Sequence, residues 1–230
     1  MKVSVVVAHG DDVIKGFLGS AILFAQKEAE ISITVVTDGS RCHEIKFGCT
    51  NPSPQQVMVA REAELLRALE IAGVQAKVNF LRWRDGAGNH WRDDPILLAL
   101  ISKILEEEKP DKVYIPEESD QHVDHKAVNW ISLQALASRT RKPEVYCILF
   151  DPGRLKGDEY REKTEMSKGK IVRTPIGPVL GLKRKAFRAM RSLIRLKPYP
   201  NWPKQSETIL SRTQIERIRS RRVERAIRIK

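Results

Sequence analysis

The sequence predicts an α/β protein: a doubly wound, mostly parallel, Rossmann-like sheet with a basic, partly helical C-terminal extension. Three observations carry this. Apolar β-branched runs alternate with helical periodicities through the first 150 residues. The first run, Val3-Ser4-Val5-Val6-Val7-Ala8, is nearly continuous, as in a strand covered on both faces. The texture then changes after Asp151, where Gly and Pro recur and cations dominate.

Each element follows from a local signal. A helix is expected from about Asp12 to Glu28, with Val13, Phe17, Ala21, Leu23 and Phe24 toward the sheet. Ile31–Val36 reads as the second strand, closed by Thr37-Asp38-Gly39. A helix from about Pro54 to Ala72 follows, with Val59, Leu65, Leu66 and Leu69 as its apolar positions. Lys77–Leu81 is the third strand, and Asp94 is the expected N-cap of a helix over 95–108 that Pro110 ends. Lys112–Pro116, a helix over 124–137, and Glu144–Phe150 complete a βαβαβαβαβ order. Residues 1–150 are therefore assigned to an α/β catalytic domain and 151–230 to an extension packed on it or appended to it.

The chain has 230 residues, enough for one good core and short for two full domains. No apolar run approaches the ~20 residues that span a bilayer. The start runs directly into a strand without an apolar leader, so a cytoplasmic protein, peripheral at a membrane at most, is expected. Cys42, Cys49 and Cys147 form no CxxC pair and read as reduced thiols. A dinucleotide fingerprint, a P-loop and a GxSxG elbow are all missing.

The chemistry gathers in two clusters at expected carboxyl ends of strands, where open α/β sheets place ligands. His9-Gly10-Asp11-Asp12 follows the first strand, and Asp120-Gln121-His122-Val123-Asp124-His125 follows the fourth. Each alone fits an ordinary turn or N-cap. Together they supply a catalytic-zinc set: His9, Asp12 and His125 as ligands, with one position left for water. Asp11 is then placed to take a proton from that water. His122, as an imidazolium, can stabilise an oxyanion or protonate a leaving amine, and Asp124 can orient one of the histidines. Fe(II), Mn(II) or Co(II) also suit such ligands.

These residues resemble the zinc-dependent N-deacetylases of the PIG-L/LmbE family, whose motifs are usually Ala-His-Pro-Asp-Asp-Glu and His-Pro-Asp-His. The likeness spans most of residues 1–150, including Thr37-Asp38-Gly39, Arg61-Glu62-Ala63-Glu64 and Asp85-Gly86. It implies hydrolysis of the N-acetyl group of an N-acetylglucosamine-type amino sugar, free or as a glycoside, phosphorylated or lipid-linked. It also implies His9, Asp12 and His125 as zinc ligands, Asp11 as base and His122 as oxyanion-stabilising acid. Arg61 and Asp85 match positions that often line the sugar pocket. Gly10, Val13 and Val123 depart from the usual proline, glutamate and proline.

The charge is uneven: residues 151–230 hold 23 Lys and Arg against 8 Asp and Glu, while 1–150 hold 18 against 21. A solvated tail and a surface for an anionic partner both fit. The stretch 182–196, apolar on one side and basic on the other, suits an anionic membrane surface. Aromatics are too sparse there to favour nucleic acid. The rival to an enzyme is a non-catalytic protein docking on nucleic acid or membrane through this region. Trp83, Trp91 and Trp130 lie near the proposed site loops, where they can stack on a sugar, with Trp130 expected in the core. A second basic helix is expected from Ser211 or Thr213 to the end.

Overall fold

The computed structural model describes residues 1–41, 52–118, 120–150, 170–190 and 223–229. Five parallel strands form its centre: β1 (Lys2–Val7), β2 (Glu30–Thr37), β3 (Ala76–Trp83), β4 (Lys112–Pro116) and β5 (Glu144–Ile148). Two more extend the sheet: β7 (Val223–Ile229) runs antiparallel to β5, and β6 (Lys170–Pro175) runs antiparallel to β7 at the edge, giving the order β3-β2-β1-β4-β5-β7-β6. β1 pairs with β2 through Val3↔Ile31 and with β4 through Val3↔Lys112. The order reverses between β1 and β4, so their carboxyl ends open onto the crevice where doubly wound sheets bind ligands.

The continuous apolar runs are explained by a core on each face. On one side, Val5, Ile33 and Tyr114 pack against Phe17, Leu18, Leu65, Leu69 and Phe187. On the other, Val6, Val36, Val113 and Ile115 meet Leu97, Ile101, Leu105, Val128 and Ile131. Among the described residues the α-helices are α1 (Gly10–Asp12), α2 (Leu18–Ala25), α3 (Pro54–Ile71), α4 (Gly88–Trp91), α5 (Pro95–Glu108), α6 (Val123–Ala137) and α7 (Leu180–Phe187). Their starts carry recognisable caps. Ser53 accepts from Gln56 N with Pro54 behind it, and Asp94 accepts from Ile96 N and Leu97 N. At the far end of α5, Lys109 turns left-handed at φ 48° ahead of Pro110. Among the described residues no helix is long and apolar enough to cross a membrane.

Four expectations change. The helix expected over 12–28 is broken: α1 runs into a five-residue π turn, Val13–Phe17, before α2 begins. In α3 the buried stripe is Val57, Met58, Leu65, Ala68 and Leu69, which turns Val59 and Leu66 out to solvent. Trp130, expected in the core, is 42% exposed, with the Arg92 guanidinium 4.9 Å above its ring.

The fourth correction concerns the extension. Residues 223–229 form β7 rather than the end of a basic helix. The edge of β5 needs backbone partners, and Glu224 and Ala226, two residues apart, are both buried, as the period of a strand allows. Lys183, expected on a solvated basic face, is 1% exposed and bonded to Glu224 at 2.5 Å. Cys42, Cys49, the 191–196 half of the basic stretch and residues 211–222 lie outside the described residues.

α4 sits close on α6: a Cβ at Gly88 would stand 2.6 Å from the carbonyl oxygen of Val123. Backbone cannot yield as a flexible side chain does. Gly88→Ala is expected to lower stability by about 1–3 kcal/mol in urea unfolding. Gly177→Ala, with nothing within 4 Å of its added methyl, should stay within about 0.5 kcal/mol.

Candidate functional site

β1 ends at Val7, and the next residues turn sharply into α1 because Asp12 caps the turn. Its Oδ2 accepts the backbone N–H of His9 at 2.9 Å, and its own N–H donates to His9 O. His9, Asp11 and Asp12 are thereby buried at the sheet edge, at 8%, 5% and 2% exposure. Across the crevice, β4 leads to Asp120, whose Oδ1 accepts His122 N at 2.8 Å. His122 is the N-cap of α6, and its Nδ1 accepts Asp124 N at 3.3 Å. One turn of α6 then brings His125 to the first cluster.

Asp12 Oδ2 is the meeting point. His9 Nδ1 lies 3.4 Å from it and His125 Nε2 3.2 Å. Donors held at roughly 2.0–2.1 Å on neighbouring corners of a tetrahedral zinc stand about 3.3 Å apart. His9, Asp12 and His125 thus form a group that can hold a metal ion.

The far nitrogen of each histidine faces carboxylates. His9 Nε2 lies 3.1 Å from Asp85 Oδ1 and 3.3 Å from Asp124 Oδ2. His125 Nδ1 approaches Asp120 Oδ2 at 3.0 Å, though bent off the line of a hydrogen bond. Such carboxylates fix the tautomer and orientation of a ligating imidazole. Asp124 is itself anchored, accepting Gly86 N at 2.7 Å and Gly88 N at 2.8 Å.

Asp11 is not a lone carboxylate. Oδ1 takes the Arg61 guanidinium and Oδ2 the Lys15 ammonium. Arg61 is buried in α3 beneath Gly39, whose φ of 61° lets bare backbone close over it; a Cβ there would meet Arg61 Nε at 3.0 Å.

The electrostatics follow from burial against pairing. Burial alone would raise the Asp11 pKa, but Lys15 and then Arg61 outweigh it and hold the group at about 2. Burial opposes charge on His125 as well, yet Asp12 and Asp120 lift it to about 9. His9 is likewise raised well above its usual value, its bonds to Asp12, Asp124 and Asp85 outweighing burial. Asp12 is held low against burial by His125 and His9. His122 is lowered, by burial first and then by the neighbouring His9 and His125. The pairing that favours protonated histidines here is one that a divalent ion at the same nitrogens would replace.

The residues expected at the site therefore lie in one network. The Asp11–Arg61 pair and the His9–Asp85–Asp124 set join at α1, and the His122 ring lies 4.8 Å from that of His9 and 4.9 Å from that of His125. Two members lacked an assignment from sequence. Asp120 was visible beside His122 and His125, and Lys15 stands four residues after Asp11, but neither has a local pattern that marks it. Trp91 is buried, donating Nε1 to Arg84 O, whereas Trp130 stays half-exposed outside this network.

Comparison with known proteins agrees with this geometry. Residues 4–136 match the family model PIG-L, described as GlcNAc-PI de-N-acetylase. No curated protein matches the chain. Among solved structures, the A40926 pseudoaglycone deacetylase Dbv21 is similar with a TM-score of 0.68 at 15% identity, covering 98% of this chain and 96% of its own. GalB, the 4-carboxy-2-hydroxymuconate hydratase of Pseudomonas putida, gives 0.65 at 21% identity, with 83% and 79% covered. The N,N'-diacetylchitobiose deacetylase of Pyrococcus horikoshii gives 0.62 at 20% identity, with 83% and 69% covered. At these identities the likeness is one of fold, and the names span two reactions. The family model reaches further, because it matches more than half of the sequence and takes in both clusters: the chain belongs to the PIG-L family.

Proposed function

We propose that the chain is a zinc-dependent hydrolase that removes the N-acetyl group of an N-acetylglucosamine-type amino sugar. The sugar is free, glycosidic, phosphorylated or lipid-linked, and the enzyme works in the cytoplasm. One observation carries the reading. Two buried imidazoles, each with a carboxylate on its far nitrogen, converge on Asp12 Oδ2 at tetrahedral-edge distances, with a second carboxylate, Asp11, next in the chain.

His9, Asp12 and His125 would hold the ion. A divalent metal such as zinc supplies Lewis acidity there, acidifying water and polarising a carbonyl oxygen. The rest falls to side chains. Asp11, held ionised by Lys15 and Arg61, accepts the proton of the attacking water. A carboxyl kept that acidic then gives the proton up readily to the departing amine, so the sugar leaves as an amine and the acetyl group as acetate. His122 accepts at Nδ1, so its neutral ring carries hydrogen on Nε2 and donates it to the oxyanion. This replaces the imidazolium expected from sequence, in line with the lowered pKa. Asp124 and Asp85 orient His9, and Asp120 orients His125. Arg61 and Asp85 stand beside the sugar while holding Asp11 and His9.

Two outcomes test this. Asp11→Asn should lower the rate of acetate release from N-acetylated amino sugars by about 10²–10⁴-fold and leave zinc content unchanged. A variant as fast as the wild type removes Asp11 from the mechanism. In elemental analysis of chelator-free protein, the wild type should carry about one zinc per chain, and His125→Ala close to none. Equal zinc in both would separate the two clusters.

A further inference from the structure

Lys15 reaches Asp11 from a segment that does not hold itself together. The π turn closes with Leu18 N on Val13 O, and Phe17 then leaves helical geometry at φ −128°, ψ −21°. Backbone groups on both sides of this break find partners in the C-terminal extension. Lys183 Nζ donates to Lys15 O at 3.1 Å. Glu224 accepts Gly19 N at 2.8 Å, Ser20 N at 2.7 Å and Ser20 Oγ at 2.6 Å. The two side chains bond each other at 2.5 Å and are 1% and 2% exposed. One caps the carbonyl end of the first segment, and the other caps the amide end of the second. An unbroken helix would satisfy these groups with its own backbone, without burying two charges. Both residues lie outside the 4–136 region that matches the family.

We propose that Lys183 and Glu224 are positioning residues for the site. Acting through the break, they hold the Lys15 backbone where its ammonium meets Asp11 opposite Arg61. Asp11 is then pinned at both oxygens, Oδ1 by a guanidinium on α3 and Oδ2 by an ammonium on the π turn. A group that takes and returns a proton needs such a fixed position, and a small misplacement slows it. The extension is thereby part of the catalytic unit: α7 and β7 set the geometry of a carboxylate at the end of β1. The inference rests on the reading of Asp11 as the proton acceptor.

A double-mutant cycle tests it, since a residue acting through Lys15 loses its effect once Lys15 is gone. Lys183→Met leaves Glu224 buried without its cation, so a companion, Lys183→Met/Glu224→Gln, removes both charges and protects against a fold failure. Each is made alone and with Lys15→Met. The variants are assayed for kcat and KM on an N-acetyl amino sugar that the wild type hydrolyses, and for zinc Kd by chelator competition. In the wild-type background kcat should fall about tenfold with KM within about twofold, and in the Lys15→Met background the tail changes should add no further loss. Lys183→Arg, which still reaches a carbonyl, should recover most of the rate. Equal losses in both backgrounds, or wild-type kcat in the folded companion variant, would overturn the proposal. If the wild type binds zinc but hydrolyses no N-acetyl sugar, the functional reading falls and the same cycle is read on zinc Kd. A shift of about threefold that vanishes in the Lys15→Met background supports positioning. A shift that persists there, or none, overturns it.

Discussion

One carboxylate oxygen, Asp12 Oδ2, accepts the His9 backbone amide and faces the near nitrogens of His9 and His125. Asp12 is 2% exposed, and a carboxylate that deep is costly by several kcal/mol unless it is paired. The constraint propagates outward. The two histidines must come from different strand ends, so β1 and β4 must be neighbours with their carboxyl edges in step. The histidines are buried too, so their far nitrogens need Asp85, Asp124 and Asp120. Asp124 in turn needs the amides of Gly86 and Gly88, which ties α4 against α6. The fold around the crevice is organised by the need to neutralise one buried group, which a divalent ion held by the same donors would also do.

The opposite side of the site obeys a similar rule. Asp11 is buried next to Asp12, two like charges one residue apart, and Lys15 and Arg61 offset the repulsion. Lys15 can do so from a turn wound wider than an α-helix. That turn exposes backbone groups which the extension then satisfies through Lys183 and Glu224. Pairing of β7 with β5 is therefore more than an edge covering: it carries the Glu224 carboxylate to the start of α2.

The central strands were legible because apolar runs covered on both faces are unlike anything else in the chain, and caps at Ser53 and Asp94 announce themselves locally. His9, Asp11, Asp12, His122, Asp124 and His125 were legible for a related reason. Short clusters at strand ends need only local spacing to be noticed, and Arg61 and Asp85 came from family likeness. What escaped depends on distant partners. Lys183 sits among cations that face solvent, and its inward partners are distant in sequence: the Lys15 carbonyl and Glu224, 41 residues later. Val223–Ile229 has apolar positions that suit a helix as well as a strand, and the free edge of β5 decides between them. The break at Phe17 has no proline to mark it, and Gly16 and Gly19 on either side do not by themselves say where a helix is interrupted. Val59 and Leu66 fit a helical stripe, but a stripe about one residue further round meets the core.

The most direct test of the account is where a metal sits. Crystals of the full chain grown with zinc, measured at the zinc absorption edge, would give an anomalous peak that needs no assumption about substrate. The account predicts one peak, bonded to His9 Nδ1, Asp12 Oδ2 and His125 Nε2, with Asp85 and Asp124 still on His9 Nε2. A peak instead among His9, His122 and Asp124, the other group of potential ligands among the described residues, would contradict it. So would no peak at all, because Asp12 Oδ2 would then be an ion-pair hub and nothing more.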